Sequence, residues 1–178
     1  VQAAASPGYS VEIVKKSPTG IILEIDVNEF NLRSVNSGGK IYRLPVIAGE
    51  GRISLPDSPE LPAISRMFAL PEGKAPALRI ITTDSRFIAD TNIPSQNKIF
   101  PEVYADISET VIAGGNRLAA ITVHPFRIHP GGRLEVVERL KIEIQFHSAG
   151  TGLQQQNRRL HIPGNLLLNP EILDNGDD

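Results

Sequence analysis

Apolar side chains recur along this chain with a period of two. Leu140, Ile142, Ile144 and Phe146 alternate with charged or polar neighbours, as do Ile21, Leu23, Ile25 and Val27, and β-branched residues are prominent among them. That period belongs to a strand with one buried face, and β-branched side chains suit a pleated surface. The later run starts at Leu134 and Val136, but Val137-Glu138-Arg139 breaks its phase, which predicts a bulge or bend. Fourteen prolines, spread along the chain rather than gathered in one linker, argue against long helices, because an interior proline removes a donor and clashes with the preceding turn. The expected fold is therefore all-β: a curved antiparallel β-sandwich, jelly-roll-like, with at most short helical turns.

Turn chemistry divides the pattern into strands. Lys15-Lys16-Ser17-Pro18-Thr19-Gly20 predicts a hairpin between the run at Val11 and Ile13 and the run from Ile21. His129-Pro130-Gly131-Gly132-Arg133 predicts another, between residues 118–128 and 134–146. Shorter strands are expected at 40–47, 67–70, 78–83 and, with interruptions, 99–112. The stretch Leu55-Pro56-Asp57-Ser58-Pro59-Glu60-Leu61-Pro62 reads as a stiff connector or edge, since each proline biases its neighbour towards extended backbone. At 178 residues one domain is the default. It is expected over 9–147, between a flexible N-terminal segment, 1–8, and an extended polar tail or linker, 148–178, rich in Gln and ending in acids.

Several function classes lose support at this stage. A net charge of −2 gives no field for nucleic acid or an anionic membrane surface, and no apolar run is long enough to span a bilayer. The absence of cysteine removes disulfides, thiolate metal sites and a cysteine nucleophile from this chain. The opening Val1-Gln2-Ala3-Ala4-Ala5-Ser6 has the small residues found around a signal-peptidase site, so an export signal already removed is one reading and a linker stub the other.

Catalytic constellations are equally sparse. His124 and His129, five residues apart and each followed by proline, would project to opposite faces of a regular strand, a poor start for a shared metal. No serine sits in a Gly-x-Ser-x-Gly elbow, and Gly49-Glu50-Gly51 and Gly114-Gly115 lack the strand-to-helix setting of a phosphate cradle. Acid pairs such as Asp57 with Glu60, or Asp177 with Asp178, read as solvated loop charges. Tyr9, Tyr42 and Tyr104 read as strand packing. No cofactor or metal is expected.

Three blocks carry a resemblance. The Pro-rich stretch continues as Ala63-Ile64-Ser65-Arg66-Met67-Phe68-Ala69-Leu70-Pro71, and this resembles the Gly-x-Pro-x-Leu-Pro-x-x-x-Arg pattern, followed by an apolar strand and Pro, of the N-terminal propeptides of gingipain-type cysteine peptidases. Ser58 stands ahead of Pro59 where that family has Gly. Ile121-Thr122-Val123-His124-Pro125-Phe126-Arg127-Ile128-His129-Pro130, then Gly132-Arg133-Leu134, resembles the family's paired strands, with His129 in the usual Asn place. Ile93-Pro94-Ser95 and Phe100-Pro101-Glu102 resemble the segments flanking the family's exposed loop. Order and spacing agree from about Tyr9 to Phe146.

The resemblance implies a non-catalytic β-sandwich prodomain that docks on a cognate cysteine peptidase domain, assists its folding and covers its active site until proteolysis. It also implies a secreted or cell-surface setting. In arginine-specific members of that family a long loop delivers a basic side chain to the specificity pocket. Here only Gln96, Asn97, Lys98 and Ile99 separate the flanks, so Lys98 is the sole basic candidate, and a solvated turn lysine is the competing reading. Arg158 and Arg159 in the polar tail read either as a processing point or as a solvated basic pair. The rival functions are an adhesion or carbohydrate-binding sandwich, which the shortage of aromatics disfavours, and a retained structural module of a surface protein.

Overall fold

The computed structural model describes residues 8–54, 58–94, 97–113, 115–149 and 167–172. Twelve strands are present among them: β1 (Tyr9–Ser17), β2 (Gly20–Val27), β3 (Asn31–Ser37), β4 (Lys40–Val46), β5 (Gly51–Ile53), β6 (Leu61–Leu70), β7 (Lys74–Ile88), β8 (Ala105–Ile107), β9 (Val111–Ala113), β10 (Asn116–Val123), β11 (Phe126–His129) and β12 (Arg133–Ser148). The helical content of the described residues is a single 3-10 turn, Pro170–Ile172. No helix among the described residues is long and apolar enough to cross a membrane.

Two five-stranded antiparallel sheets enclose the core, and β3 and β4 form a separate hairpin. In the first sheet the long β12 is central. One edge of it pairs with β7 along its whole length, and the other is shared by β11 (against residues 133–136) and β2 (against 139–145), with β1 beyond β2. The second sheet runs β5-β6-β10, with β8 and β9 sharing the far edge of β10. The alternating residues named above supply one face of the core: Ile21, Leu23, Ile25 and Val27 on β2, and Leu140, Ile142, Ile144 and Phe146 on β12, are all buried. Opposite them lie Ile64, Phe68, Ile121 and Val123, and Phe68 stacks on Phe146 across the layers with ring centroids 6.3 Å apart.

The two expected hairpins form, and the phase break is a bulge: Val137 pairs with Ser85 and Arg139 with Asp84, leaving Glu138 out of register. Three sequence expectations need correction. Residues 118–128 are not one strand, because the chain leaves the second sheet after Val123 and enters the first at Phe126. Pro125 sits at the crossing, has no N–H to continue a ladder, and uses its carbonyl to accept from the Val137 N–H at 2.8 Å. The strand expected at 67–70 already starts at Leu61. Pro62 fits there because β10 pairs only from Ile64 onward, so the proline faces no ladder on that side. The strand expected at 78–83 extends over Lys74–Ile88. The expected N-terminal segment lies, except for Gly8, outside the described residues.

Candidate functional site

The segment between β7 and β8, residues 89–104, carries the loop that the sequence singled out, and four sets of contacts fix its base. Asp90 and Asn92 adopt left-handed backbone, which short polar side chains tolerate, and between them the Thr91 carbonyl accepts from the Arg43 N–H at 2.8 Å. Phe100 and Ile128 exchange two backbone hydrogen bonds of 2.9 and 2.6 Å. The Tyr104 carbonyl accepts from the His124 N–H at 2.8 Å. The fourth contact is a buried arginine.

Arg127 on β11 and Glu135 on β12 lie directly opposite each other on the face of the first sheet turned away from the core. Charged residues there would ordinarily be solvated, yet both are about 95 % buried because residues 101–104 fold over them. Arg127 donates from Nε to the Pro101 carbonyl at 3.1 Å and from Nη2 to the Glu102 carbonyl at 2.8 Å, and its guanidinium lies 4.0 Å from the centroid of the Tyr104 ring. Its approach to Glu135 is longer, 3.4 Å. The carboxylate is held more closely by Ser85 Oγ at 2.7 Å and His129 Nε2 at 2.6 Å. Arg127 therefore serves chiefly to clamp the loop backbone, while Glu135 balances its charge and gathers three neighbours.

Burial pushes the Glu135 carboxyl up, but the hydrogen bonds from His129 and Ser85, with the charge of Arg127, outweigh it and hold the group below its ordinary value of 4.5. Burial and the adjacent Glu135 charge push the Tyr104 phenol up, so it remains a donor to Glu135. A depressed carboxyl stabilises the fold above its unfolded value and loses that contribution as pH falls through the depressed one. The gap in unfolding midpoint between the wild type and Glu135→Gln is thus expected to be full at pH 7 and to shrink steadily below pH 4.5. A gap that is the same at pH 3 and pH 7 would remove the ionised carboxylate from this account.

Held on this base, Asn97 and Lys98 are exposed at the tip and Ile99 is half-buried. Gln96 lies outside the described residues. The tip lines an open groove of about 850 Å³ together with Ile53, Phe100, Val103 and His124. His124 is buried there with Nε2 2.6 Å from the exposed carboxylate of Asp106, so the two histidines weighed as a metal pair serve different carboxylates. Among the described residues no group of three or more His, Asp or Glu side chains is placed to hold a metal. Arg158 and Arg159 lie outside the described residues.

Sequence reasoning missed Arg127, His129 and Glu135 as a unit, since Glu135 stands between Leu134 and Val136 simply as a polar partner of the β12 alternation. The available signal was the hairpin itself: with the turn at residues 130–132, Arg127 and Glu135 fall opposite each other as complementary charges. Tyr9 and Tyr104, read as strand packing, each also carry an arginine. The Tyr9 hydroxyl hydrogen-bonds Glu50 and accepts from Arg66 Nη2 at 2.8 Å, which ties β1 to the second sheet.

No protein-family model matches the chain, and no curated protein matches it. Solved structures do. A chain from the complex of Porphyromonas gingivalis RgpB pro- and mature domains superimposes with a TM-score of 0.73 at 16 % identity, covering 92 % of this chain and 97 % of that one. A chain from the structure describing zymogenic latency of gingipain K, also from Porphyromonas gingivalis, gives 0.65 at 19 % identity, covering 82 % and 96 %. Both matches cover more than four fifths of each chain, so the likeness extends over the fold rather than over one sheet of it.

Proposed function

We propose that this chain is the prodomain of a secreted, gingipain-like cysteine peptidase, a non-catalytic domain that assists the folding of its catalytic partner and keeps it latent until it is cut away. The observation that carries this reading is the loop: its base is fixed by Arg127 and by backbone bonds on both sides, and its tip presents Lys98 to solvent beside a groove. A loop whose base is fixed before binding loses less entropy when it enters a cleft, which is what an inhibitory segment needs. The fold it shares with the RgpB and gingipain K structures, described as pro- and mature domains and as zymogenic latency, supports the same reading.

In this account Asn97, Lys98 and Ile99, with Gln96, form the segment that enters the active-site cleft. The Lys98 ammonium would meet an acidic specificity pocket, where a desolvated charge pair fixes the register of docking. Arg158-Arg159 is the proposed processing point. The test is titration of the purified domain against the catalytic domain encoded with it. Wild-type protein is expected to inhibit stoichiometrically, and Lys98→Ala to weaken inhibition roughly 30-fold or more, as loss of one interface hot spot does. Inhibition unaffected by the substitution would keep the latency reading and remove Lys98 from it. Absence of binding would return the chain to the adhesion class.

A further inference from the structure

The edge of β6 is used twice. Over its first three residues it pairs with β5, from Leu61 to Ala63. Beyond them β5 has ended, and β6 would show open backbone groups at Met67 and Ala69 on the side away from β10. The C-terminal segment fills this place. Leu167 bridges Met67 in parallel, and the Leu168 N–H donates to the Met67 carbonyl at 2.9 Å. The next contact comes from a side chain. Asn169 Oδ1 accepts from the Ala69 N–H at 2.7 Å, and its Nδ2 donates to the Ala69 carbonyl at 2.8 Å.

Asn169 thus does for Ala69 what a neighbouring strand residue would do, answering donor and acceptor together, and it is 1 % exposed while doing so. Leu167 packs with Ala69 and Leu118 in a small cluster separate from the main core, on the opposite face of the second sheet, and Met67 and Ile172 close over it. Glu171 reaches Lys16 on β1 at 3.0 Å, an exposed pair that sets position more than strength.

We propose that the β6 edge is a strand-accepting site and that residues 167–172 are its detachable clasp, held by backbone pairing and by Asn169 independently of the chain that leads to them. A cut anywhere between Ala149 and Leu167 then leaves the segment in place. The consequence for latency rests on the prodomain reading: cleavage in the tail alone would not part this domain from its catalytic partner, and release would require the clasp to leave β6 as a second step. The binding itself does not depend on that reading.

A recognition sequence for a site-specific protease, placed at Gln154-Gln155-Gln156 in the full chain, tests this without any peptidase partner. After cutting, the two fragments are expected to co-elute on size exclusion under native conditions. In the Asn169→Leu background, which keeps the count of side-chain heavy atoms and removes both hydrogen bonds, the C-terminal fragment is expected to dissociate roughly 30-fold more readily. Immediate separation of the wild-type fragments overturns the proposal. So does loss of the β-sheet circular dichroism signal on cutting, which would make the segment an integral strand, and so does equal retention of the Asn169→Leu fragment.

Discussion

Replacing Arg127 by methionine is expected to lower stability by about 3 kcal/mol, the low end for breaking a buried, hydrogen-bonded ion pair. At this chain length that is a fall of roughly 6–12 °C in the unfolding midpoint. The low end applies because Glu135 keeps His129, Ser85 and Tyr104 when the guanidinium goes, so its charge is not stranded. What has no substitute partner is the loop backbone, since the carbonyls of Pro101 and Glu102 lose their donors. Hydrogen exchange at the Phe100 and Ile128 amides, which pair with each other beneath that loop, should therefore accelerate more than exchange in β2 or β10. A control separates burial from distance. Arg79 approaches Glu143 at 2.6 Å, closer than Arg127 approaches Glu135, but 64 % of its side chain is exposed, so Arg79→Met should leave the midpoint near that of the wild type. If the two variants behave alike, the Arg127 network is not what holds the loop.

The residues that made the fold legible are those whose neighbours had no choice of face. On β12, Leu140 to Phe146 alternate because one side meets the core and the other meets water, and Glu138 interrupts the phase where the ladder itself is interrupted. β3 was not read because Asn31-Leu32-Arg33-Ser34-Val35-Asn36-Ser37 has only two apolar residues, three apart, and owes its strand to pairing with β4. The turn between them, Gly38-Gly39 with positive φ at both positions, was the available clue. The run from Leu118 to Ile128 is mostly apolar on both sides of Pro125, and composition does not show that a chain changes sheets. Only Pro125 marks the place.

The site was legible in a different way. Lys98 stood out through a resemblance of flanking segments, and its exposure fits either a plug or a plain turn lysine. Arg127 and Glu135 were hidden because a charged residue between two buried apolar ones normally faces solvent, and what buries them is a loop some 25 residues away in sequence, whose path depends on tertiary packing. Nothing local to β11 or β12 encodes that cover. The tail has the composition of a polar linker, and the buried amide of Asn169, 100 residues from its partner Ala69, is invisible to any windowed pattern for the same reason.

The turn between β11 and β12 should give the sharpest contrast in the molecule. Gly131 and Gly132 are adjacent, and both have left-handed backbone, with φ of 84° and 75°. A Cβ on Gly131 would meet nothing within 4 Å, whereas one on Gly132 would sit 2.1 Å from the carbonyl oxygen of Ile93. Gly131→Ala should therefore show only the backbone penalty of a left-handed alanine, about 1 kcal/mol, or roughly 2–4 °C. Gly132→Ala incurs that penalty too, and must also push away a backbone atom that no rotamer change can move. Ile93 is 5 % exposed, so shifting its carbonyl disturbs a core side chain and the start of the segment that leads to Lys98. A total near 3 kcal/mol, or roughly 6–12 °C, is expected from the combined strain and core disruption. Inhibition of the proposed peptidase should weaken with it, although no residue of the tip is altered. Thermal unfolding of the two single variants decides the matter: equal midpoints would mean that the chain before the loop yields freely, and the rigid base from which Lys98 is presented would have to be abandoned.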